Sequence, residues 1–139
     1  MFYLLCRLAG AVRRRLLRDD HGRFGEDLAH SFLRRRGCRI VARNYRARSG
    51  AGEVDLIAWH KATLLFVEVK TRSTTDFGRP EQFVDSEKRA RILIAARDYA
   101  RRANIDFERA RFDVVSVILY PRVKVEWLPD VYTPYKLRA

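Results

Sequence analysis

The chain has 139 residues, of which 47% are hydrophobic and 33% are charged, a composition that fits one domain with a hydrophobic core and excludes a disordered chain. Its formal net charge is +12, carried by 24 arginines and five lysines. Arginine binds phosphate bidentately and stacks on bases, so this balance predicts a nucleic-acid partner. Biased amino-acid usage combined with solubility is the alternative. It explains the preference for arginine, but it explains the large net charge less well.

The pattern of residues 1–20 predicts a basic, amphipathic helical extension that precedes a main nucleic-acid-binding domain at residues 21–139. Apolar residues recur in the extension with helical spacing, and five arginines surround them. The apolar run is shorter than the roughly 20 residues that cross a bilayer, and the positive charge follows it, unlike in a signal peptide. We therefore expect no transmembrane segment. The helix would pack on the domain or on a partner, with a membrane surface as the alternative.

The next segment predicts a helix at residues 22–36, which Gly37 ends. Its expected apolar face consists of Phe24, Leu28, Phe32 and Leu33. Residues 38–45 alternate as a strand does, with Ile40 and Ala42 on one face. The polar, glycine-containing loop at residues 46–52 carries two arginines, and it is either a phosphate-contacting loop or a solvated turn.

Four further strands and one long helix complete the predicted domain. Strands at residues 53–59 and 64–72 are joined by a short connection, which is typical of antiparallel neighbours. A helix at residues 85–103 follows, and then strands at residues 111–120 and 122–127. The strand–helix–strand unit in the middle is a crossover that makes its two strands parallel. The predicted fold class is α/β, with a mixed central sheet flanked by helices.

Cysteine and histidine give no sign of a disulfide framework or a zinc site. Cys6 and Cys38 are the only cysteines, and the three histidines lack metal-ligand spacing. This usage fits a reducing compartment, so we expect a cytoplasmic protein.

Two strongly apolar strands carry charged residues where a packed core would exclude them. Asp55 lies in the first strand, and Glu68 and Lys70 lie in the second. Burying an unpaired charge is costly, so either these faces are solvated or the three charges form a site. Side chains alternate between the faces of a strand, so Glu68 and Lys70 point the same way.

The connection between these strands decides where Asp55 lies. A four-residue connection at residues 60–63 pairs Trp59 with Leu64 and therefore Asp55 with Glu68, on one face. A three-residue connection would put Asp55 on the opposite face unless a bulge intervened. We expect the first arrangement, which brings two carboxylates and one ammonium group together.

These groups are the parts of a metal-dependent phosphodiesterase. Mg²⁺ typically binds one or two carboxylates together with water and phosphate oxygens. Such an ion polarises a phosphodiester and lowers the pKa of bound water. A neighbouring lysine can orient or deprotonate that water, or stabilise the charge that develops on the phosphorus-bound oxygens. A basic surface would hold the nucleic-acid backbone nearby.

The spacing of Asp55, Glu68 and Lys70 resembles that of the PD-(D/E)XK nuclease superfamily, whose core is the restriction-endonuclease-like fold. More closely, the chain looks like the YraN-type family of bacterial proteins, which is itself similar to archaeal Holliday-junction resolvases. The matching residues, spread over positions 21–128, are Gly25-Glu26, Ala29, Leu33, Arg43-Asn44-Tyr45-Arg46, Gly52-Glu53-Val54-Asp55-Leu56-Ile57, Phe66-Val67-Glu68-Val69-Lys70-Thr71-Arg72, Phe77-Gly78, Lys88 and Arg111-Phe112-Asp113-Val114-Val115. Val54 stands where the superfamily name has proline.

The resemblance implies a DNA endonuclease that depends on Mg²⁺ or Mn²⁺, acts on branched or otherwise structured DNA and needs no small-molecule cofactor. Asp55 and Glu68 would be the metal ligands, and Lys70 the catalytic lysine. Glu26 would complete the site or form a hydrogen bond with Lys70. Junction-cleaving relatives work as dimers, which implies a homodimer here. The side chains that would contact the nucleic-acid backbone are Arg46, Arg72 and Lys88.

Two alternatives belong to other functional classes. The first is a nucleic-acid-binding module that keeps the nuclease fold without turnover, with Glu68 and Lys70 as a structural ion pair. The second is an interaction protein that docks on a partner or a membrane through its N-terminal helix.

Overall fold

The described residues form a five-stranded mixed sheet with one helix packed on each face. The structure is a computed structural model that describes residues 21–73, 86–131 and 133. The predicted N-terminal extension, together with Phe77, Gly78 and Asp85, lies outside the described residues. In chain order the elements are α1 (residues 21–35), β1 (Cys38–Arg46), β2 (Glu53–His60), β3 (Thr63–Arg72), α2 (Ser86–Arg102), a 3-10 turn (Phe107–Arg109), β4 (Ala110–Ile118) and β5 (Lys124–Leu128).

The strands lie in the sheet in the order in which they occur in the chain, from β1 to β5. β3 and β4 are parallel, and the other neighbouring pairs are antiparallel. The predicted crossover through α2 is therefore confirmed. So is the α/β class with a mixed sheet flanked by helices, which is the restriction-endonuclease-like architecture. In the described part of the chain, no helix has the length and apolar character needed to cross a membrane.

The sheet is buried on both faces. α1 covers one face, where Leu33 packs among Leu56, Leu65 and Val67. α2 covers the other face, where Ile92 packs among residues such as Phe66. A strand that is buried on both faces reads as a continuous apolar run, which explains the composition of β3 and β4.

The predicted apolar face of α1 was wrong at Phe24, whose side chain is 49% exposed. The buried stripe of the helix is instead Gly25, Ala29 and Leu33, with spacing of four residues. Small residues in this stripe let the helix approach the sheet. A Cβ atom at Gly25 would lie 1.8 Å from the Oγ1 atom of Thr71 in β3. This contact places the first turns of α1 against the end of β3.

A bulge in β1 overturns the prediction that Ile40 and Ala42 share a face. Ile40 pairs with Ala58, Ala42 pairs with Ile57, and the register shifts by one residue at Val41. An extra residue in one strand reverses the alternation beyond it. Ile40 therefore packs on the α1 side of the sheet, and Ala42 packs on the α2 side.

The loop between β1 and β2 is fixed against α2 at Gly52. A Cβ atom at this position would lie 2.1 Å from the carbonyl oxygen of Arg91 in α2, and backbone atoms cannot rotate away as a side chain can. The contact anchors the start of β2, which carries Asp55.

We expect Gly52→Ala to lower the free energy of unfolding by about 1–3 kcal/mol, because the added methyl group overlaps helix backbone. Urea denaturation monitored by circular dichroism measures this change. Gly22→Ala is the matched control, because no atom lies within 4 Å of a Cβ atom at Gly22. Equal stability of Gly52→Ala and the wild type would contradict the close contact.

Candidate active site

The pairing of β2 with β3 brings Asp55 next to Glu68. Trp59 lies opposite Leu64, which confirms the predicted register. The ladder runs to the pair Leu56–Val67 and ends one step before Asp55 and Glu68. Beyond this point a side chain accepts the hydrogen bond instead of a backbone carbonyl. The Val69 backbone N–H donates to the Asp55 Oδ2 atom over 2.8 Å.

Glu68 is a buried carboxylate that two ammonium groups neutralise. Its side chain is 3% exposed, and it points to the α2 side of the sheet. Its Oε1 atom forms an ion pair with the Nζ atom of Lys88 from α2, and the Nζ atom of Lys70 lies 3.7 Å away. A buried carboxylate with such partners avoids most of the cost of an isolated buried charge.

The ionisable groups in this cluster shift one another's pKa values. Burial and the negative charge of Glu68 raise the pKa of Asp55 well above its usual range. Burial and the adjacent Lys88 ammonium lower the pKa of Lys70. Burial also acts to lower the pKa of Lys88, but the attraction of Glu68 outweighs it and the pKa of Lys88 is raised. Of the two lysines, Lys70 therefore releases its proton more readily.

The cluster opens into a cleft of about 870 Å³, here called the site cleft. The charged side chains that line it include Glu26, Asp55, Glu68, Lys70, Arg72 and Lys88. Asp55 and Glu68 thus face one space, as the parity of the strands predicted. A smaller cleft of about 370 Å³ shares both carboxylates and Lys88, and its mouth is formed by Glu53, Glu87 and Arg91.

Glu26 reaches the site cleft from α1 but does not bind Lys70 there. Its Oε2 atom accepts a hydrogen bond of 3.2 Å from the Asn44 side chain, and the Arg43 guanidinium lies 3.9 Å away. Its negative charge contributes to the raised pKa of Asp55. Of the two roles that the resemblance implied, only a place in the wall of the site is consistent with these contacts.

The predicted backbone-contacting residues divide into two groups. Arg72 and Lys88 line the site cleft. The Arg46 side chain is 74% exposed, and its Nε atom lies 3.5 Å from a carboxylate oxygen of Glu53, outside the site cleft.

Comparison with known proteins places this constellation in a family. The model of the uncharacterised protein family UPF0102 matches residues 25–117, a range that contains Glu26, Asp55, Glu68, Lys70 and Lys88. The chain belongs to the UPF0102 family. A UPF0102 protein of Solibacter usitatus (strain Ellin6076) is 59% identical over 132 residues, which is 95% of this chain and 100% of that protein. A UPF0102 protein of Dictyoglomus turgidum is 41% identical over 114 residues, covering 80% of this chain and 95% of the relative.

The carboxylate pair of this UPF0102 protein suits a hard divalent cation. In the described ranges, 21–73, 86–131 and 133, no group of three or more His, Cys, Asp or Glu side chains is arranged to hold a metal ion. The donors of the cluster are thus the two carboxylates Asp55 and Glu68. One or two carboxylates completed by water and phosphate oxygens are what Mg²⁺ typically uses, so the donor set fits Mg²⁺ or Mn²⁺.

Two features of the UPF0102 site were missed in the sequence. Lys88 lies within the carboxylate cluster, whereas the sequence suggested only a backbone contact. It precedes the buried Ile92 by one helical turn, and that spacing on the sheet-facing side of α2 is the signal that was available. Ser116 lies opposite Lys70 in the parallel pair β3–β4, and its buried Oγ atom has no hydrogen-bond partner. Nothing in the sequence marks it, because its position depends on the register of distant strands.

The raised pKa of Asp55 predicts that its carboxyl group destabilises the fold at neutral and high pH. The folded state binds this proton more tightly than the unfolded state, so stability falls as pH rises from about 4 through the folded-state pKa. In chelator-containing buffer at pH 8, we expect Asp55→Asn to be more stable than the wild type. The advantage should shrink toward pH 4. Thermal unfolding across this pH range measures it, with Glu87→Gln, an exposed carboxylate of the smaller cleft, as control. A pH-independent difference would contradict the prediction.

Removing Lys88 should leave the buried Glu68 carboxylate poorly compensated. We expect Lys88→Met to lower the free energy of unfolding by about 1–3 kcal/mol, because an unpaired buried charge loses its partner. Adding Glu68→Gln should recover most of that loss, which a double-mutant cycle in urea measures. Lys124→Met, at an exposed position of β5, is the control. Additive losses in the double variant would show that the two side chains do not interact.

Proposed function

We propose that this UPF0102 protein is a cytoplasmic endonuclease that hydrolyses DNA phosphodiester bonds with Mg²⁺ or Mn²⁺. The observation that carries the proposal is the pair Asp55 and Glu68, set side by side with Lys70 in an open cleft of a chain whose net charge is +12. The cation supplies Lewis-acid chemistry at the phosphate when it is bound by the two carboxylates. Proton transfer, charge stabilisation and positioning of the DNA fall to the side chains around the two carboxylates.

Lys70 is the group best suited to handle the proton of the attacking water. Its lowered pKa gives a larger neutral fraction near pH 7 than an ordinary lysine has, so its Nζ atom can orient the water and accept a proton. Lys88 keeps its proton, because its pKa is raised. It is therefore suited to stabilise the negative charge that develops on the phosphate oxygens.

Arg72 would direct the DNA backbone into the site cleft. It ends β3, two residues after Lys70, and lines the site cleft. Its guanidinium places a fixed positive charge at the wall of the cleft, where it attracts the phosphate backbone. The exposed Arg46 would act farther along the backbone, beyond the cleft.

Branched or otherwise structured DNA is the substrate class that the resemblance to junction resolvases favours. A four-way junction is symmetric, so a homodimer would present its two sites to two symmetry-related strands. Both statements rest on that resemblance.

A second candidate is a DNA-binding module without turnover. The observation that favours it is that Lys88 and Lys70 both already neutralise Glu68, as in a structural ion pair. In this case the fold presents a basic surface, and the cluster only holds α2 to β3.

Cleavage of duplex, single-stranded and junction DNA in Mg²⁺ and in Mn²⁺ tests the first proposal. We expect Asp55→Ala, Glu68→Ala and Lys70→Ala each to lower the rate by about 10²-fold or more, since each removes a charge at the reacting phosphate. Glu87→Gln, at the mouth of the smaller cleft, should leave the rate within about twofold. Equal activity in all five proteins would identify a contaminating nuclease.

Calorimetric titration with Mn²⁺ separates the two candidates. An endonuclease should bind the ion through Asp55, so Asp55→Ala should weaken binding by about tenfold or more. DNA binding with no heat of metal binding in the wild type would favour the binding module and exclude the metal-dependent mechanism.

A further inference from the structure

The turn between β4 and β5 carries exposed apolar side chains that the proposed site does not use. Residues 119–123, here called the β4–β5 tip, contain Tyr120, which is 66% exposed, and Val123, which is 52% exposed. Only three other large apolar side chains of the described residues are comparably exposed, and they lie on α1, β1 and α2. Most of the Tyr120 side chain is accessible, so its aromatic ring is available to a ligand.

The β4–β5 tip stands next to the site cleft. Leu119 lines that cleft, and its backbone N–H donates a hydrogen bond of 3.0 Å to the carbonyl oxygen of Arg72. Ser116 lies opposite Lys70 in the sheet, and Tyr120 follows it by four residues. At a rise of about 3.3 Å per residue, the Tyr120 backbone is at most about 13 Å from that of Ser116.

The charge around Tyr120 favours a polyanion over a neutral protein surface. Arg122 and Lys124 are exposed, and residues 119–124 contain no carboxylate. Arg72 adds a third cation where β3 ends. An aromatic ring beside several cations is the arrangement with which proteins stack an unpaired base while holding the adjacent phosphates.

We infer that Tyr120 is a stacking platform for an unpaired base of the nucleic acid whose backbone enters the site cleft. This inference rests on the proposed function and names its substrate class. Bases inside a duplex are stacked on one another and offer no free face, so the β4–β5 tip selects DNA with a single-stranded segment beside the scissile phosphate. The backbone span of about 13 Å from Ser116 to Tyr120 places the stacked base within a few nucleotides of that phosphate.

Binding in chelator-containing buffer tests the inference without cleavage. The probes are a 20-base-pair duplex and the same duplex with an unpaired arm that carries 2-aminopurine. Fluorescence anisotropy gives the affinity, and quenching of 2-aminopurine reports stacking. We expect Tyr120→Ala to weaken binding of the forked probe about tenfold and to remove the quenching, with less than twofold change for the duplex. Tyr120→Trp should restore both signals.

Ile94→Ala is the control, because Ile94 is 43% exposed on α2 and does not line the site cleft. Equal losses on both probes, no loss on the forked probe, or a similar loss in Ile94→Ala would overturn the inference. The inference would also be overturned if sedimentation showed that Tyr120→Ala dissociates a dimer and that this dissociation accounts for the weaker binding.

The two proposals fail separately. Selective, Tyr120-dependent binding by a protein that never cleaves with Mg²⁺ or Mn²⁺ overturns the nuclease and keeps the stacking platform. Cleavage whose preference for forked DNA is the same in Tyr120→Ala overturns only the platform. A wild type that binds neither probe overturns the platform, and the cleavage assay in Mg²⁺ and Mn²⁺ then decides the nuclease by itself.

Discussion

The rest of the site depends on one constraint, the burial of the Glu68 carboxylate in β3, directly after the apolar run of residues 64–67. At 3% exposure this group cannot rely on water, so it needs positive charge from its neighbours. Lys88 supplies that charge from α2, and Lys70 supplies it from the same strand. The ion pair with Lys88 therefore ties the helix of the crossover to the end of β3, and the same contact separates the pKa values of the two lysines.

Two glycines set how closely the helices approach this end of the sheet. Gly25 brings α1 against Thr71, which carries Glu26 into the wall of the site cleft. Gly52 brings the start of β2 against the backbone of α2, only three residues before Asp55. A side chain at Gly52 would overlap the backbone of α2, and one at Gly25 would overlap the Thr71 side chain. Close packing at these two glycines therefore acts together with the Glu68–Lys88 ion pair to set the geometry of the cluster.

The sequence predicted those features that follow from local alternation and connection length. The predicted four-residue connection at residues 60–63 was enough to place Trp59 opposite Leu64, and with it Asp55 beside Glu68. In the structure His60 pairs with Thr63, so the connection is only Lys61 and Ala62, and the register is unchanged. The bulge at Val41 and the small-residue stripe of α1 were missed, because both depend on the elements that pack against them. Lys88 was predicted only to contact the nucleic-acid backbone, although its helical spacing from Ile92 marks the sheet-facing side of α2. Its partner is a buried carboxylate 20 residues earlier in the chain, which helical periodicity alone does not identify.

Asp55 is what distinguishes a working site from a structural ion pair. Glu68 and Lys88 would hold α2 to β3 equally well if a neutral residue stood at position 55. The Asp55 carboxylate instead adds a second negative charge beside Glu68, and its raised pKa records the cost of that repulsion and of burial. Its hydrogen bond from the Val69 N–H orients the group but brings no full positive charge. Under the proposed function, a cation bound in the open cleft gives a reason for a carboxylate with a raised pKa at this position, and the structural ion pair gives none.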